Sequence, residues 1–101
     1  MLSDMSDADR QAAQRRLADL VALIRSQPTQ NQFAKLFEEA EALDRAIAAF
    51  HLEGIRFRMY NVDRLVTHAP APLPPEAMEI VADVHKHLEA AGFHTRSHHA
   101  P

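Results

Sequence analysis

Ile55-Arg56-Phe57-Arg58-Met59-Tyr60-Asn61-Val62-Asp63-Arg64-Leu65-Val66 can be read in two ways, and each implies a different architecture. Its first half alternates apolar and polar residues, as a half-buried strand does. Ile55, Met59, Val62 and Val66 also recur at three- and four-residue steps, as one face of an α-helix does, with Leu65 alongside. Asn61-Val62-Asp63 is weak as strand, and the flanking sequence is helical, so helix is the preferred reading. Gly54 offers a break ahead of either one.

Upstream, Ala13, Leu17, Leu20 and Ile24 form one helical stripe. Phe33, Phe37, Ala40, Leu43, Ile47 and Phe50 form a second. Ser6, followed by Asp9 three residues on, resembles a capping box and predicts the first helix start. That helix should run to about Arg25, ahead of Pro28. Thr29 with Gln32 is a better capping box and predicts the second start. Glu41 and Arg45 are an i, i+4 pair in the favourable order. The second stripe predicts a helix reaching at least Phe50.

Downstream, Ala69-Pro70-Ala71-Pro72-Leu73-Pro74-Pro75 reads as a stiff extended linker over 69–75. Pro75 suits the first position of a last helix. Ala77, Val81, Val84, Leu88 and Ala91 carry its stripe, and Gly92 is a natural left-handed cap, with Phe93 able to fold back. His94 to Pro101 reads as a loose tail, 94–101. The expected fold is therefore mainly α, a small bundle of three to four helices forming a single domain over 1–101. The alternative is an α+β domain whose two-stranded element comes from residues 55–60 and 93–97; two strands alone are marginal and would call for a second copy.

Composition narrows function by exclusion. The 101 residues carry a formal charge of −3, so there is no global basic field for nucleic acid. There is no cysteine, which excludes disulfides, thiol catalysis and Cys-based metal sites. The N-terminus lacks the pattern of a signal peptide, and no run approaches the ~18 apolar residues of a membrane span. The expectation is a soluble, cytoplasmic protein with no membrane partner.

Five of the seven histidines lie between His85 and His99. Neutral imidazole is a common ligand for Zn, Cu and Ni. His85, His87, His94 and His98, with Glu89, are the candidate ligands. On a helix, His85 and His87 point about 160° apart, so they cannot chelate together. The plainer alternative is a set of solvent-facing histidines. Arg56, Arg58, Tyr60 and Arg64, with Phe57 among them, form the one basic–aromatic cluster. Such a set can neutralise and stack a nucleic acid, but Glu53 and Asp63 flank it, so a charged helix face is the preferred reading. Pro72-Leu73-Pro74-Pro75 outlines a PxxP ligand without a neighbouring cation to orient it.

Catalysis finds no support. No hydroxyl stands in a nucleophile elbow, no Gly-rich phosphate loop is present, and Glu38, Glu39 and Glu41 are expected on exposed helical positions. What remains is apolar surplus. A helix apolar on more than one face needs more than one neighbour. The expected function is thus a non-enzymatic interaction module, a regulator or accessory subunit that meets itself as a homodimer, or another protein, through a helical surface. Phe37, Phe50, Ile55, Met59 and Val62 are the expected contacts. No cofactor is expected. The alternatives are a His-dependent metal binder and a helical domain with a small-ligand pocket.

Overall fold

The structure is a computed structural model that describes residues 2–93. Four α-helices follow in order: α1 (Leu2–Arg25), α2 (Ala34–Ala48), α3 (Leu52–Thr67) and α4 (Glu76–Ala90), with a 3-10 turn over Gln30–Phe33 before α2. No strand occurs among the described residues, and the fold is a small, mainly α bundle.

The two-stranded alternative is overturned at residues 55–60, which lie inside α3. Its partner stretch, 93–97, lies outside the described residues except for Phe93, which follows α4 as irregular chain. The physical reason shows in which side chains are buried. A two-residue period would place Ile55, Phe57 and Met59 on one face. Instead Ile55, Met59, Val62 and Val66 are buried, while Phe57 is 57% exposed. Only the helical period separates Phe57 from its apolar neighbours.

Every helix contributes its stripe to one core. Leu17, Leu20 and Ile24 come from α1, and Leu36, Leu43 and Ile47 from α2. Met59 and Val62 come from α3, and Val81, Val84 and Leu88 from α4. The packing is paired: α1 lies chiefly against α4, and α2 against α3. The short turn over residues 49–51 makes α2 and α3 a helical hairpin. Arg16 Nε donates to Asp83 Oδ2 at 2.9 Å and ties α1 to α4. The hydrogen bonds that Arg16 donates to Asp83 and Asp19 raise its pKa, against a smaller opposing effect of burial, so its charge is secure. The proline-rich connection is part of the packing, because Ala71 is buried and Leu73 rests on the core.

Three helix ends differ from expectation. α1 begins at Leu2, ahead of Ser6. Thr29 makes no side-chain cap, since its φ of −93° and ψ of 14° lie outside the extended region an N-cap needs; the 3-10 turn intervenes and α2 starts at Ala34. α2 also stops at Ala48, because Phe50 adopts a left-handed φ of 56°. α3 starts on His51, whose Nδ1 accepts from the Gly54 backbone N–H at 2.9 Å. Gly54 therefore lies within the first turn, not at the break. A Cβ there would stand 2.5 Å from His51 Nδ1, so glycine leaves room for the capping ring.

Candidate functional site

Glu39 is the polar centre of the α2–α3 hairpin and is only 3% exposed. Arg58 Nη1 donates to both of its carboxylate oxygens at 3.0 Å. Asn61 Nδ2 donates to Oε1, also at 3.0 Å. Lys35 Nζ, one helical turn earlier on α2, stands 3.6 Å from Oε2. Arg58 and Asn61 share a face of α3 because they are three residues apart. A buried carboxylate persists only when paired and hydrogen-bonded. Burial pushes the Glu39 pKa up, but the hydrogen bonds from Asn61 and Arg58 and the charges of Arg58 and Lys35 outweigh it, so it falls below the ordinary value. Glu39 is thus a fixed anion at neutral pH, unsuited to proton transfer there.

A hollow of about 400 Å³ opens over this centre, lined by Lys35, Glu39, Phe57, Arg58, Asn61, Arg64, Leu65 and His68. The Arg58 guanidinium lies 5.1 Å from the centroid of the Phe57 ring. The same two residues wall a second hollow, with Ala42, Arg45, Ala46, His51, Glu53 and Gly54. An exposed aromatic ring and a fixed cation thus stand midway along the outer face of the hairpin.

The expected contact residues divide. Ile55, Met59 and Val62 are fully buried, so they pack the monomer and offer nothing to a partner. The apolar surface that α3 leaves exposed is instead Leu52 and Phe57. Phe37 is half-buried in a hollow between α1 and α2, with Leu17, Val21 and Ala40, and Arg25 lies 5.1 Å from its ring centroid. Phe50 is 53% exposed. Its ring lies 4.3 Å beneath the Arg10 guanidinium and 6.0 Å from the Phe93 ring.

The basic–aromatic cluster also divides. Arg58 and Arg64 line the hollow over Glu39, whereas Arg56 and Tyr60 do not. Of the candidate metal ligands, His85 is buried, with Nε2 2.9 Å from Asp63 Oδ2. His87 is half-exposed and Glu89 exposed. No group of three metal-ligating side chains occurs among the described residues. His94 and His98 lie outside them.

Asp63 also accepts from Thr67 Oγ1 at 3.1 Å. The carboxylate therefore stands between hydroxyl and imidazole. The Asp63–His85 contact ties α3 to α4.

Sequence reading missed Glu39, Lys35 and Asn61. Glu39 was expected on an exposed position and is buried instead. A signal was available: Glu39 is three residues after Leu36 and four before Leu43, inside the apolar stripe. No helix among the described residues is long and apolar enough to cross a membrane. Set against known proteins, the chain matches no family model, no curated protein and no solved structure.

Proposed function

We propose that this chain is a non-enzymatic interaction module, a small regulator or accessory subunit of the cytoplasm that associates with itself and with a protein partner through its helical surface. One observation carries the reading. Of the four exposed large apolar side chains among the described residues, Phe50, Leu52 and Phe57 fall within eight residues around the α2–α3 turn, and Met78 is the other. Covering one such side chain is worth about 1.5–3 kcal/mol. Isolated exposed apolar residues need no explanation, but a concentration of them marks a contact surface.

The turn suits self-association, because Leu52 is exposed there and Phe50, though it touches Arg10 and Phe93, keeps much of its surface open. The middle of α3, with Phe57, suits a second protein. The non-enzymatic reading is supported by the engagement of the polar groups with one another: Glu39 with Arg58, Asp63 with His85.

Sedimentation velocity over a range of concentrations tests the self-association. The wild type is expected to reach dimer mass, and Leu52→Glu, exposed at the first turn of α3, is expected to remain monomeric with unchanged helicity. A wild type that stays monomeric throughout sinks the homodimer, and a Leu52→Glu variant that dimerises equally well sinks the assignment of its seam to the turn.

A further inference from the structure

The hollow beside Phe57 has a charge opposite to that of the chain. Lys35, Arg58 and Arg64 line it, with His68, while the chain as a whole carries −3. Its single acidic lining residue, Glu39, is buried and already matched by Arg58 and Lys35. Lys35 also lies 3.7 Å from Glu38 Oε1, so Arg64, exposed and in no ion pair among the described residues, is the most available cation, and the three cations of the lining still outnumber its one carboxylate. Arg58 is held from behind through Nη1, which fixes the guanidinium plane and leaves Nε and Nη2 for another acceptor. A pre-positioned guanidinium loses little rotamer freedom on binding. Phe57 supplies an apolar contact beside it.

We infer that this hollow docks an acidic segment of a partner protein, with carboxylates meeting Arg64, Lys35 and Arg58 and an apolar side chain covering Phe57. The inference rests on the interaction reading above and gives the partner its chemistry. A protein segment fits better than a nucleic acid. The hollow has one exposed aromatic ring, Glu38 and Glu53 stand close by in sequence, and the net charge is negative. A polyanion requires an extended basic field and successive stacking rings.

Fluorescence anisotropy on the full chain tests this with three probes: a labelled helical peptide of glutamate and leucine, its glutamine–leucine counterpart, and an oligouridine. The glutamate peptide is expected to bind, and to bind more weakly as salt screens the charges. Lys35→Gln with Arg64→Glu alters two exposed side chains, leaves Arg58 in place and sets no second carboxylate beside the buried Glu39. That double variant is expected to lose affinity about tenfold or more at unchanged helicity, and to gain affinity for a lysine–leucine peptide. Equal binding of the glutamine peptide, full binding by the double variant, or tighter binding of oligouridine overturns the inference. The self-association reading fails separately: a monomeric wild type that still binds the glutamate peptide keeps the docking site and loses the homodimer.

Discussion

The ends of α2 and α4 close with the same pair of hydrogen bonds. At α4, the Phe93 N–H donates to Leu88 O at 2.8 Å and the Gly92 N–H to Glu89 O at 3.0 Å. At α2, the His51 N–H donates to Ala46 O at 3.0 Å and the Phe50 N–H to Ile47 O at 3.2 Å. Both are Schellman closures, which require one residue with positive φ. α4 uses Gly92, at φ 100°; α2 uses Phe50, at φ 56°. Glycine meets the requirement without a steric conflict at Cβ. A bulky residue there costs about 1–2 kcal/mol. The backbone does not call for Phe50, so its side chain has to account for it. That ring packs under Arg10 and against Phe93, the residue that closes the other end. One end is built for the backbone and the other around an aromatic ring.

The largest perturbation breaks the hairpin to which the α2 end belongs. Glu39→Gln replaces the anion that Arg58 and Asn61 hold with a neutral amide, and a loss of about 2 kcal/mol is expected, measured by urea unfolding. The acid limb of the wild-type stability curve should change with it. The folded-state pKa of Glu39 lies below its ordinary value, so its contribution is present above that ordinary value and disappears as pH falls through the folded one. Below about pH 4.3 the gap between wild type and Glu39→Gln should therefore narrow. A gap that widens on acidification contradicts this arrangement.

At the α4 end, Gly92→Ala should cost about 1–2 kcal/mol and lower Tm by several degrees. A Cβ at that position meets nothing within 4 Å, so the whole loss is conformational. An unchanged Tm would mean that the closure contributes nothing.

The smallest effects sharpen the contrast at Phe50. Phe50→Ala keeps the strained backbone and loses the ring contacts, for a cost of about 1 kcal/mol. Phe50→Gly loses the same contacts but releases the strain, so the net change should be under about 0.5 kcal/mol. Alanine is expected to be worse than glycine by calorimetry. The reverse order would show that the left-handed conformation carries no strain.

Much of this was legible in the chain. Ile55, Met59, Val62 and Val66 announce a helix by their spacing, and all four are buried. Gly92 announces its cap, and Pro75 opens α4 from the N-cap position. The candidate site was legible only in part. Arg58 and Arg64 stand out as a basic cluster, but nothing local to α3 shows that Glu39, nineteen residues before Arg58, lies beneath it. Phe50 continues the α2 stripe in sequence, and that continuity concealed the reversal of the backbone there. Ile55, Met59 and Val62 drew attention as contacts because their apolar face is plain, while the helices that cover it are distant in sequence.

Periodicity alone assigned the helices, because a 3.6-residue repeat is a local property of the chain. It also fixed which side chains share a face. Which faces meet was decided only in three dimensions, when α1 packed on α4 and α2 on α3. That pairing buried the stripe of α3, drew Arg58 and Asn61 onto Glu39, and left Phe57 outside. Packing depends on neighbours brought from far along the chain, and a local repeat contains no record of them.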